Sequence, residues 1–147
     1  MIAYEAIANH QAVIEAFGQW PSFHDGEVLR VLLDRTRRHP NGSYIASIEL
    51  VVRGWVMTSE VTESGCFKLE HDSVVHFLFE QVEDVVLEDL NHQNVLSSLN
   101  LKIVSDHEFG VPLLSVELGQ CFGLCGSFKS RRASVVSVVP YACETGP

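Results

Sequence analysis

The chain has 147 residues, 46% of them hydrophobic and 20% charged, which is enough for one domain with a real core and too apolar for disorder. Its formal charge of -9 at pH 7 argues against a sequence-independent DNA or RNA binder, which needs basic patches to displace phosphate counterions, and against anionic membrane surfaces. Two readings of that charge stay open, solubility alone or a basic protein partner.

Residues 4–17 are expected to form a helix, because Ile7, Val13, Ile14 and Phe17 share a helical period and Gly18 supplies a C-terminal stop. Trp20-Pro21-Ser22-Phe23-His24-Asp25-Gly26 cannot be regular structure, given Pro21 and Gly26; Trp20 and Phe23 are expected to anchor it in the core. A strand from Glu27 to about Thr36 follows, with Leu29, Val31 and Leu33 on one cleanly apolar face. The turn signal His39-Pro40-Asn41-Gly42 joins it to a second strand, Ser43 to about Met57. There Tyr44, Ala46, Ile48, Leu50 and Val52 share a face, and Gly54 marks a bulge or bend.

Residues 58–72 read as a polar loop with a short strand near Cys66–Leu69. Val74–Gln81 and Val85–Leu90 read as strands, with Val75, Phe77 and Phe79 on one face. Asn91 is a candidate N-cap for one helical turn over 92–98, and a strand from Leu99 to Val104 follows. The last third is β again, at Leu113–Leu118, Cys121–Phe128 and Ala133–Val139. Lys129-Ser130-Arg131-Arg132 reads as a basic tip between the last two strands. The expectation is a single domain over 1–147 of the α+β class. An N-terminal helix precedes a mostly antiparallel sheet of about eight strands, a β-rich body about 27–140, and a tail at 141–147.

The strongest functional signal is electrostatic. From Leu69 to Leu101 there is no Lys or Arg, yet the stretch carries Glu70, Asp72, Glu80, Glu83, Asp84, Glu88 and Asp89. A one-signed field on a folded segment suits docking of a cationic partner. The competing reading is a solvated sheet face, neutralised by Arg35, Arg37, Arg38 and the Lys129–Arg132 tip. Strand alternation spreads the carboxylates over both faces, which narrows docking to the sheet end where Glu83–Asp84 and Glu88–Asn94 emerge.

Catalytic signals are weaker. His24-Asp25 can bind metal when it sits on a helix among further histidines and aspartates, but here it precedes a strand. The favoured reading is structural, with Asp25 in an Asx-type turn and His24 bonded or packed near Trp20. His71 and His76 would point to opposite faces of a strand. Glu83/Asp84 and Glu88/Asp89 are strand neighbours that point apart, so neither pair makes an acid/base dyad. Nucleophile-elbow, P-loop and dinucleotide motifs are absent. Cys66, Cys121, Cys125 and Cys143 lack metal spacing and read as reduced packing residues, with Cys121 and Cys125 on one side of a strand. No cofactor or metal is expected. The sequence shows neither a basic export leader nor a run of ~18 apolar residues, so a cytoplasmic location is expected.

Two motifs taken together carry a family signal. Trp20-x-x-Phe23-His24-Asp25-x-Glu27-Val28 opens the first long strand, and Asp84-Val85-Val86-Leu87-Glu88-Asp89-Leu90-Asn91-His92-Gln93-Asn94-Val95-Leu96 closes the acidic segment. In that order and separation the chain resembles the immunity protein 50 family of bacterial polymorphic toxin systems, over roughly residues 18 to 140. The resemblance implies a cytoplasmic antitoxin that binds and blocks one cognate toxin domain without catalysis. An acidic chain fits a toxin that is a basic nuclease. The motif does not say which residues touch the toxin. The acidic segment nominates Glu80, Glu83, Asp84, Glu88, Asp89 and His92 for contact, while Trp20, Phe23, His24, Asp25, Asn91 and Asn94 are the structural motif positions. Two alternatives are carried beside it. One is a small metal- or ligand-binding enzyme centred on His24, Asp25 and His92; the other is an oligomeric β-domain, such as a homodimer, joined edge to edge.

Overall fold

A computed structural model describes residues 2–105 and 110–141, with backbone alone at 67 and 68. The described residues are mostly sheet with one α-helix. Strand β1 (Ile7–Ala8) and helix α1 (His10–Phe17) precede β2 (Glu27–Arg38), β3 (Tyr44–Val61), β4 (Phe67–Glu88), β5 (Val95–Ser105), β6 (Pro112–Phe122) and β7 (Cys125–Pro140). The sheet order is β1-β7-β4-β3-β2-β5-β6, and β6 returns to pair with β7. Strands β2 to β7 therefore roll into an antiparallel ring.

Among the described residues the strands number seven where about eight were expected, and the sheet is mixed, because β1 runs parallel to β7 at Ile7↔Ala133 and Ala8↔Ser134. The expected helix over 4–17 is correspondingly broken. A 3-10 turn covers Ala3–Ala6, Ile7 leaves it to enter the sheet, and α1 keeps only eight residues. Tertiary contacts override helical periodicity here. Ile7 is fully buried beside β7, and Asn9, at φ 64, donates from Nδ2 to the Val135 carbonyl. Gly18 does cap α1, its N–H bonding the Ile14 carbonyl at φ 80.

On β2 the expected apolar face is turned to the core side at Val31 and Leu33 but is only partly covered. Val28 is buried, Leu29 is the extra residue of a bulge between Val28 and Arg30, and beyond it Val31 and Leu33 lie opposite buried Leu50 and Ile48 on the core side, yet Leu33 stands exposed with Leu29 and Leu32. A second shift, between Asp34 and Arg37, again adds its extra residue on β2. Ile48, Leu50 and Val52 are buried as expected, while Tyr44 and Ala46 face solvent and Ile45 and Ser47 turn inward.

The two strands expected over 74–90, and most of the loop expected at 58–72, are parts of the β3–β4 hairpin. It turns at residues 62–66 through Thr62 N–H to Cys66 O. Strand β4 bends instead of ending, because Gln81 and Asp84 adopt left-handed φ of 53 each. Val75, Phe77 and Phe79 are all fully buried. The helical turn expected at 92–98 is absent, since β5 begins at Val95. The strand expected over Cys121–Phe128 is divided by the β6–β7 turn, which puts Cys121 and Cys125 on different strands. Lys129–Arg132 is no tip but the middle of β7. Cys66 and Cys121 are exposed, not packed; Cys143 and the tail beyond Tyr141 lie outside the described residues.

The core is an aromatic chain. Phe17, Phe23, Phe77, Phe79 and Phe128 follow one another at centroid distances of 6.0, 6.0, 5.7 and 5.0 Å, with α1 lying against β4 and β7. All five rings are at least 98% buried, each contributing about 2–3 kcal/mol of hydrophobic stabilisation.

Candidate docking site

The two sequence motifs meet at the ring's thinnest seam. β2 and β5 pair at one position, Glu27↔Val95, flanked by Val28 N–H to Asn94 O and Leu96 N–H to Gly26 O, both 2.8 Å. The Trp20–Gly26 loop then continues along β5 through Asp25 N–H to Leu96 O and Leu99 N–H to Ser22 O. Trp20 stacks on Tyr4 at 4.9 Å, and Phe23 is buried at φ 59. Gly54 is required beneath Phe23, because a Cβ there would lie 2.7 Å from the ring.

His24 and Asp25 sit on the outside of this seam. His24 Nδ1 lies 2.8 Å from Ser97 O, and Nε2 lies 3.5 Å from Asp25 Oδ2. Asp25 uses its backbone N–H, not its side chain, to join β5, so the expected Asx turn does not form. His24 is tied to β5 rather than to Trp20.

Asn94 organises the second motif. Its buried Oδ1 accepts the N–H groups of Asn91 and Leu124, and Nδ2 donates to Asn91 O, each at 2.9 Å. One side chain thus ties the β4–β5 connection to the β6–β7 turn. Gly123 lies so close that a Cβ would meet Asn94 Oδ1 at 2.6 Å. Asn91 is not a helix cap; its Oδ1 accepts the N–H of His92.

The acidic candidates separate into two groups. Antiparallel pairing of β4 with β7 sets Glu80 opposite Arg132 and Glu83 opposite Lys129. Ion pairs follow: Lys129 Nζ to Asp84 at 3.2 Å, Arg131 to Glu83 at 3.7 Å, and Arg37 to Glu80 at 3.8 Å. These three carboxylates are matched by cations that the sequence places 43 to 48 residues away, so their charge is locally balanced. Glu88 and Asp89 are different. They end β4, are exposed, and have no ion-pair partner among the described residues.

Around them the chain exposes apolar groups that composition alone did not single out. Leu90 is 71% exposed and Phe122 is 47% exposed, with the His92 ring edge-on to Phe122 at 6.2 Å. Beside them, a cleft of about 390 Å³ opens between Val31 and Leu33 of β2 and Leu87, Leu90 and Leu124. Its β2 wall, Val31 and Leu33, is part of the apolar face that alternation marks in the sequence, whereas its opposite wall comes from distant residues.

The one grouping of three metal-competent donors among the described residues is Glu88, Asp89 and Cys125, within 4.8 Å of one another; it does not include His24, Asp25 or His92. The Cys125 thiol is pushed up by its partial desolvation and then by Asp89 and Glu88, which makes it a poor nucleophile at neutral pH. His76 bonds Glu49 at 2.9 Å and His71 lies 4.0 Å from Glu70, so these histidines serve separate partners. Asp72 holds Arg53 through two bonds of 2.9 and 2.7 Å, which keeps the guanidinium pKa above its ordinary value.

No helix among the described residues is long and apolar enough to cross a membrane. Comparison with family models, curated proteins and solved structures returned no match.

Proposed function

We propose that the chain is an immunity protein that binds a cognate toxin domain and occludes it. Docking occurs at the end of the ring formed by Glu88–His92 and Phe122. The observation that carries the reading is the contrast between the two acidic groups. Glu80, Glu83 and Asp84 are matched internally, while Glu88 and Asp89 stay unmatched beside exposed Leu90, His92 and Phe122. An apolar and aromatic centre with a charged rim is the composition of a protein-binding surface. The acidic rim selects a basic partner and speeds encounter with it. The motif residues keep a structural role in this reading. Trp20, Phe23 and Asn94 hold the seam and the turn that present the surface, and the function is binding rather than catalysis.

The test is co-expression with the product of the toxin gene that would adjoin this one. A stable one-to-one complex and loss of toxicity are expected. Glu88→Lys with Asp89→Lys should abolish both while leaving the protein folded. A folded variant that still protects cells fully would sink the assignment of this surface. Failure of the wild-type chain to bind or protect would sink the immunity reading itself.

A further inference from the structure

Among the described residues, the outer edge of β2 has no strand partner beyond Glu27, where it pairs with β5; from Leu29 to Arg38 it pairs with β3 alone and borders the cleft at Val31 and Leu33. Such an edge offers unpaired backbone groups to another strand. Between its two bulges lies a regular window, Arg30–Asp34, in unbroken register with Ser47–Val51. The phase of this window follows from alternation. Gly26 and Val28 direct backbone groups toward β5, Glu27 toward β3, and the bulge inserts one residue. Arg30, Leu32 and Asp34 then bond β3, while the N–H and C=O groups of Val31 and Leu33 point outward. Leu32 and Leu33 are 45% and 60% exposed, and the window contains neither proline nor lysine.

We infer that two copies of the chain pair through antiparallel β2 edges, centred on Leu32 against Leu32. This register lets Val31 of each copy exchange both backbone hydrogen bonds with Leu33 of the other. It also places Arg30 of each copy opposite Asp34 of the other. Arg30 is exposed and has no ion pair among the described residues. Asp34 accepts the Thr36 N–H at 2.7 Å and the Thr36 hydroxyl at 2.6 Å through Oδ1, and it has no ion pair among the described residues. Charge and backbone phase select the same register independently. Two cross-strand ion pairs flank a leucine pair on the axis, which is the arrangement that stabilises antiparallel neighbours. Arg35, Arg37 and Arg38 beyond the second bulge confine pairing to this window. The inference does not depend on the immunity reading.

Sedimentation equilibrium at physiological salt tests it. The wild-type chain should weigh twice its 16.4 kDa. Arg30→Asp and Asp34→Arg each put like charges opposite and should weaken self-association about tenfold or more. An equimolar mixture of those two variants should recover the dimer, because each copy then faces its opposite charge. Leu32→Lys, at an exposed site that folding does not need, should also give monomer. A wild type that stays monomeric, single variants that dimerise like the wild type, or a mixture that does not re-associate would each overturn the inference.

Discussion

Asn94 and Leu124 are thirty residues apart, yet the buried side-chain Oδ1 of Asn94 accepts the Leu124 N–H at 2.9 Å. The same oxygen holds the Asn91 N–H, and the amide nitrogen donates to the Asn91 carbonyl. Removing the side chain leaves three backbone groups without partners, one of them at buried Leu124. Asn94→Ala should therefore cost about 2–3 kcal/mol in denaturant unfolding. Asn91→Ala removes only local bonds to exposed His92 and should cost under about 1 kcal/mol. Equal losses at the two positions would refute the bridging role.

Local chemistry made much of this fold legible. Gly18, Asn41-Gly42 and the alternation of Val75, Phe77 and Phe79 each depend on near neighbours, and each marked its element well. What stayed hidden depends on distant partners. Ile7 obeys a helical period but leaves the helix because β7 offers it a buried place. Leu33 has the alternation of a buried residue and lies opposite buried Ile48, yet it is exposed because among the described residues β5 pairs with β2 only at Glu27 and leaves this end of the ring uncovered. The acidic segment is unbalanced along the chain, whereas in space β7 supplies Lys129 and Arg131 to Asp84 and Glu83. Register between β4 and β7 decides which carboxylates remain available, and a single sequence does not carry that register.

Phe23 and Gly54 form a wedge at the seam. The ring is 1% exposed and occupies the space where a Gly54 Cβ would stand. Phe23→Ala should cost about 3–5 kcal/mol by leaving a cavity. Gly54→Ala should cost about 1–3 kcal/mol by overpacking. Combined with Phe23→Leu, which shrinks the ring's footprint, Gly54→Ala should cost less than it does alone. Strict additivity in that double-mutant cycle would show that the two residues do not compete for space.

The division of the acidic residues has a kinetic consequence for toxin association. Glu88→Gln with Asp89→Asn should slow association with the cognate toxin about tenfold at low salt and flatten its salt dependence. Glu83→Gln with Asp84→Asn should leave the on-rate within about twofold, because those carboxylates lie against the β7 cations Arg131 and Lys129 and outside the Glu88–His92 docking surface. Stopped-flow measurements at several salt concentrations separate the two pairs. Equal slowing by both would mean that the net charge of the chain, not one surface, steers the encounter.

Thr36 controls the ionisation of Asp34. Its hydroxyl and backbone N–H both donate to Asp34 Oδ1, and they hold the carboxyl below the ordinary carboxylate range, with the Arg37 charge a smaller contributor. The folded value is depressed relative to the unfolded chain. Its stabilisation is therefore complete above the unfolded value and disappears as pH falls through the folded one. Thr36→Val removes the hydroxyl donor and keeps the N–H, so the Asp34 pKa should rise toward its ordinary value. The variant should be less stable than wild type at neutral pH, and the gap should narrow in acid. Carboxyl NMR titration, at a concentration where the protein is monomeric, reads the shift directly. An Asp34 pKa unchanged by Thr36→Val would mean that another group holds the carboxylate, and the acid-dependent part of the stability difference should then vanish as well.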